Sequence, residues 1–145
     1  MSVSDIMVKN PVTVRRDTPV PEIARLMKEN SISSVILVER EKPIGIVTER
    51  DLVHRVLAMG RNPETLVALD VCSRPVVVIS ELADIGTAVD IMTDYKIRRI
   101  VVLDKKDKVI GILTTDDIGY NLKSSSEELA MKYLMTINRS KAVKR

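Results

Sequence analysis

The second half of the chain repeats the first. Gly45-Ile46-Val47-Thr48-Glu49-Arg50-Asp51 returns as Gly111-Ile112-Leu113-Thr114-Thr115-Asp116-Asp117, at an offset of 66 residues. The elements around each copy follow one order. A Pro-Val strand (residues 11–14 and 75–78) comes first, then an amphipathic helix, a β-branched strand and the Gly-x-x-Thr-x-x-Asp segment. A fixed internal period constrains architecture more than any local signal, because each repeat is one supersecondary unit. It predicts two small units, neither able to bury a core alone, packed face to face with a cleft between them.

The local signals fill in that plan. Thr18 followed by Pro19 predicts a helix start, and Ile23, Leu26 and Met27 recur at helical spacing on one face. Residues 35–38 are a continuous apolar run, as in a strand buried on both sides. Residues 44–48 form the next strand after a polar turn. Thr48 or Glu49 opens another helix, with Leu52, Val53, Val56 and Leu57 inward and Gly60 at its end. In the second unit, Ser80 caps a helix whose inward face is Ile85, Ala88, Val89 and Met92. A hairpin of residues 100–103 and 109–114 follows, then a helix cut short by Gly119. Asp5-Ile6-Met7 parallels Asp70-Val71-Cys72. The domain reading is a first repeat at 1–60, a linker at 61–68, a second repeat at 69–122, and a C-terminal amphipathic helix with a basic tail at 123–145. The expected class is α/β (α+β): two βαββα repeats about a pseudo-two-fold axis, sheets together and helices outside.

Composition excludes several classes of function. The chain has no Trp, no Phe and three Tyr, so aromatic platforms for single-stranded nucleic acid are largely absent. One cysteine, Cys72, and one histidine, His54, rule out a disulfide framework and a cysteine-based zinc site within the chain. A reducing cytoplasm is the expected compartment. No apolar run approaches the roughly 18 residues of a membrane span, and the start is not a signal peptide. The formal charge of +3 is unevenly placed. Residues 1–118 carry 17 Lys/Arg against 18 Asp/Glu, whereas residues 119–145 carry 6 against 2. Basicity belongs to the tail, not to the repeated body.

The repeated segment has the chemistry of a nucleotide cradle. Glycine in a strand admits the close approach of another group. A threonine hydroxyl at a strand-to-helix junction sits beside free backbone N–H groups, which favours phosphate. Asp51 and Asp117, one turn further on, can accept from the vicinal hydroxyls of a ribose. Ile46 and Ile112 can sandwich a flat base. The same Thr-x-x-Asp spacing is also an ordinary helix cap, but two copies at matched places favour the cradle.

The order Asp-Ile-Met (Asp-Val-Cys in the second unit), Pro-Val and Gly-h-x-Thr-x-x-Asp, followed by both units, resembles the cystathionine-β-synthase (CBS) domain in tandem, the Bateman module, over about residues 1–122. The resemblance implies a regulatory sensor that binds an adenine nucleotide (AMP, ADP or ATP) or another adenosyl ligand in the cleft between repeats. It implies no required cofactor, and a homodimer whose two pairs form a flat disc, acting on an unidentified protein partner; the residues themselves offer no spaced set of metal ligands. Carried onto this chain, Thr48 and Thr114 meet phosphate or ribose, Asp51 and Asp117 hold ribose hydroxyls, and Ile46 and Ile112 contact the base beside Thr13 and Val77. The segment around Arg98 and Arg99 is similar to the one that sends cations toward the phosphates. Arg50 beside Asp51, against Asp116 beside Asp117, suggests that the Asp51 copy is the stronger for phosphorylated ligands.

A different class remains open, a nucleic-acid-associated regulator using the tail cations Lys132, Arg139, Lys141, Lys144 and Arg145. Catalysis is disfavoured, because no nucleophile–base pair or paired general acid and base is spaced for it. His54 and Cys72 are expected to be structural.

Overall fold

The computed structural model describes residues 1–121 and Met135. The C-terminal helix, its stripe of Leu129, Ala130, Tyr133, Leu134 and Ile137, and the tail cations lie outside the described residues. In chain order the elements are α1 (Val3–Ile6), β1 (Val8–Lys9), β2 (Thr13–Val14), α2 (Val20–Asn30), β3 (Ser34–Glu39), β4 (Lys42–Thr48), α3 (Glu49–Leu52), α4 (Ala68–Val71), β5 (Val78–Ser80), α5 (Ile85–Tyr95), β6 (Arg99–Leu103), β7 (Val109–Thr114) and α6 (Thr115–Tyr120). A π-helical turn, Val53–Leu57, continues α3, and a 3₁₀ turn, Pro63–Thr65, precedes α4.

Two compact units result, and they do not follow sequence order. One is Pro11–Val76; the other joins Met1–Asn10 to the chain from Val77 onward. Each has its own buried core.

In the Pro11–Val76 unit, β2 runs parallel to β3 and β3 antiparallel to β4. Side chains alternate across a strand. Val35, Leu37 and Val47 therefore face the core, where Val20, Ile23 and Met27 of α2 and Ala68 and Val71 of α4 meet them. The helix α2 ends on Ser31 in the left-handed region (φ 52°). The following Ile32 N–H donates to Met27 O at 3.0 Å while its side chain packs on the core, a Schellman-type stop. Pro19 rather than Thr18 caps this helix; the Thr18 hydroxyl instead accepts from Arg15 N at 3.0 Å.

In the other unit, the sheet order is β1-β7-β6-β5. Ile100, Val102 and Leu113 face a core completed by Ile85, Ala88, Val89 and Met92 of α5, the inward face read from the sequence. Val3 of α1 is fully buried in that core. The cap of α5 is Asp84, which accepts from Gly86 N at 2.9 Å. Ser80 belongs to β5, and its hydroxyl accepts from Leu82 N in the turn that follows. Gly119 lies inside α6, whose end is capped at Asn121.

One inward assignment fails. Leu52 and Val56, four residues apart, pack on the core, but Val53 and Leu57 are 49% and 71% exposed. The core meets only one narrow stripe of this helix. The wide π turn, Val53–Leu57, carries Val53 and Leu57 to the outside, and Met59 in the turn after it is exposed as well.

Candidate functional site

Each Gly-x-x-Thr-x-x-Asp segment folds as a strand end running into a short helix. Thr48 and Thr114 are the last residues of β4 and β7 and the caps of α3 and α6. The capping is reciprocal in both. Asp51 N donates to Thr48 Oγ1 at 3.1 Å, and Thr48 N donates back to Asp51 Oδ2 at 2.9 Å. Asp117 N donates to Thr114 Oγ1 at 3.1 Å, and Thr114 N to Asp117 Oδ2 at 2.9 Å. Each threonine hydroxyl also donates to the same Oδ2, at 3.2 Å for Thr48 and 2.9 Å for Thr114. One carboxylate oxygen in each copy therefore holds the turn, as in a capping box.

The second oxygens differ. Asp51 Oδ1 accepts from Ser73 Oγ at 2.9 Å and lies 3.5 Å from Arg55 Nε. Among the described residues no hydrogen bond or ion pair reaches Asp117 Oδ1. Asp51 is 7% exposed, and Asp117 is half-buried.

The apolar candidates lie on the sheet face opposite the helices. Thr13, Ile36 and Ile46 are opposed across β2, β3 and β4. The corresponding row in the other unit is Val78, Val101, Ile112 and Val8. The structural counterpart of Thr13 is thus Val78. Val77 precedes β5, and its carbonyl accepts from Val101 N at 3.1 Å. Sequence alignment on Pro-Val misses this one-residue shift because β3 and β6 have different spacings to the prolines. Arg98 is exposed, and its Nη2 lies 4.0 Å from Asp116 Oδ1. Arg99 opens β6 opposite Thr114. Arg50 is an exposed residue of α3.

Glycine does admit a close approach, from the protein itself. A Cβ on Gly45 would stand 2.8 Å from Cys72 Sγ, and one on Gly111 would overlap Met7 Sδ. The Asp-Ile-Met and Asp-Val-Cys segments are therefore the caps that settle over the two glycines. Cys72 is buried, and burial pushes its thiol above the ordinary range. Because the thiolate is the nucleophile, Cys72 is expected to alkylate with iodoacetamide at least roughly tenfold more slowly in the native chain than in denaturant. Equal rates contradict this packing. His54 is exposed. Among the described residues no cluster of three His, Cys, Asp or Glu could hold a metal ion, and no helix is long and apolar enough to cross a membrane.

Comparison with known proteins gives this geometry its context. The CBS domain model matches residues 3–58 and again residues 67–122. An uncharacterised protein of Methanopyrus kandleri is 40% identical over 119 residues, which are 81% of this chain and 61% of that relative's length. A CBS domain protein from Pyrobaculum aerophilum, solved in complex with AMP, superposes with a TM-score of 0.76 at 20% identity, covering 92% of this chain and 98% of that one. A CBS domain pair solved with 5′-methylthioadenosine and S-adenosyl-L-methionine gives a TM-score of 0.74 at 26% identity, over 83% of this chain and 98% of that one.

Proposed function

The chain belongs to the CBS domain family, and on that premise we propose that it is a regulatory module that binds an adenosine-based ligand, of the AMP, ADP or ATP class, and signals by conformational change. The observation that carries this is the duplicated Thr–Asp pair at matched strand-to-helix junctions. A threonine hydroxyl, a helix start and a carboxylate one turn later suit phosphate and ribose together. Thr48, Asp51, Ile46 and Thr13 form one candidate set, with Arg50 beside it. Thr114, Asp117, Ile112 and Val78 form the other, and Arg98 and Arg99 supply cations. The adenosyl compounds bound by the two solved relatives support the same ligand class.

The role is regulatory rather than catalytic, because the candidate residues offer acceptors and apolar walls and no nucleophile with an adjacent base. The ligand acts by differential affinity for two conformations of the chain, which shifts their populations. The module works in the cytoplasm as a homodimer that passes the signal to a protein partner. The exposed apolar residues Val53, Leu57 and Met59 favour association with a second copy.

A thermal-shift panel of AMP, ADP, ATP, S-adenosylmethionine and methylthioadenosine tests the ligand class. At a hundredfold excess over its dissociation constant, a ligand adds about 2.7 kcal/mol, which raises the midpoint by roughly 5 °C or more for a chain of this size. If every compound at millimolar concentration leaves the midpoint unmoved, the adenosine assignment is wrong.

A further inference from the structure

The two cradles repeat in sequence but not in the state of their carboxylates. In the first copy, a segment 22 residues beyond Asp51 returns to cover it. Ser73 N donates to Ile46 O at 2.8 Å and Ile46 N to Ser73 O at 3.1 Å, so Ser73 is held beside β4 as an added edge. Its hydroxyl then donates to Asp51 Oδ1 at 2.9 Å. Arg55, one turn along from Asp51, clamps the arrangement. Its Nη1 donates to Cys72 O at 2.9 Å, its Nη2 to Ser73 Oγ at 3.4 Å, and its Nε faces Asp51 Oδ1 at 3.5 Å.

Among the described residues the second copy has neither part. Val8 pairs with Ile112 as Ser73 pairs with Ile46, and valine has no hydroxyl. Asn121 stands four residues after Asp117 where Arg55 follows Asp51, and its side chain donates to the backbone Asp117 O at 2.7 Å. Capping consumes Oδ2 in both copies, so Oδ1 is the acceptor left for a ribose hydroxyl. In the first copy a serine hydroxyl already holds it.

We infer that Ser73 and Arg55 form an internal latch that closes the Asp51 cradle by occupying it with a protein hydroxyl, leaving the Asp117 cradle as the one open to a sugar. The inference rests on the adenosine-ligand function proposed above. It orders the copies opposite to the charge pattern, because Ser73 Oγ and the Arg55 guanidinium already meet Asp51 Oδ1, and a ribose hydroxyl must compete with both whatever Arg50 adds. A charged acceptor that has one satisfied partner gains little from exchanging it for another hydroxyl, whereas an open one gains a full charge-assisted bond.

Calorimetric titration of the intact chain with AMP tests this. The wild type is expected to bind one equivalent per chain, and Asp117→Asn to weaken that binding at least about tenfold, as for loss of a charged acceptor. The double variant Ser73→Val/Arg55→Asn gives the first copy the residues of the second. It should bind two equivalents, and Asp51→Asn added to it should remove the second. A wild type that already takes two equal equivalents, full binding by Asp117→Asn, or a double variant that stays at one overturns the latch. If nothing binds AMP in any variant, the ligand class fails instead. The latch is then read from amide exchange at Ser73 and Ile46, which the double variant must accelerate; unchanged exchange overturns it.

Discussion

Val3→Asp is expected to disrupt the unit built from the second repeat, although Val3 stands at the start of the first. Val3 is 0% exposed among Ile79, Ile85, Ile100 and Leu113. The α1 segment is tied there through its backbone, with Val3 N donating to Ala83 O at 2.8 Å and Ser4 N to Glu81 O at 3.1 Å. Losing a buried valine side chain costs about 1.5–3 kcal/mol. An unpaired carboxylate in its place brings the loss to about 4 kcal/mol or more, a large share of the roughly 5–15 kcal/mol that holds a typical domain. Ala68 has the matching place in α4 and is 0% exposed in the other core. Site-resolved amide exchange separates the two. Val3→Asp should release Ile100, Val102 and Leu113, and Ala68→Asp should release Val35, Leu37 and Val47. If Val3→Asp loosened Val35 and Val47 first, the division of the chain into these units would be refuted.

The contrast also marks what a sequence can convey. Elements set by local physics are legible. The apolar spacing of Ile85, Ala88, Val89 and Met92 gives α5 and its inward face, and the runs at 35–38 and 100–103 give the central strands. The reciprocal Thr–Asp hydrogen bonds follow from their spacing at a helix start. Features set by distant residues are not legible. A two-residue strand such as β1 carries no periodicity, so nothing local says that Val8 joins β7, about a hundred residues away. Ser73 and Arg55 are ordinary surface-type residues, and only the folded chain brings them to Asp51. A π turn has no spacing signature of its own, which leaves Val53 and Leu57 looking inward on a helical wheel. The candidate site is thus legible in its repeated half and hidden in what closes it.

Gly45→Ala and Gly111→Ala should both destabilise the chain, though nothing in the motif itself shows why its first position must be glycine. Neither glycine has the left-handed backbone that would by itself exclude a side chain. The cost is therefore steric. At Gly45 the new methyl meets Cys72 Sγ at 2.8 Å and Cys72 Cβ at 3.1 Å. Cysteine has one rotatable bond, and this one is walled in by a core in which it is 5% exposed. Overpacking of that kind costs about 1–3 kcal/mol. At Gly111 the new methyl overlaps Met7 Sδ, in a half-buried chain with several torsions, and meets Met7 Cγ at 3.1 Å and the backbone Val8 O at 3.2 Å. Methionine re-packs readily, but Val8 belongs to β1, which is paired with β7, so a cost of about 1–3 kcal/mol is expected here as well. The decisive measurement is a double-mutant cycle in denaturant unfolding. Cys72→Ala removes the atom nearest to the Gly45 methyl, so the pair should couple favourably by about 1 kcal/mol or more. Additive losses would mean that the sulfur does not press on Gly45, and that a free space, not a packed segment, lies over this strand.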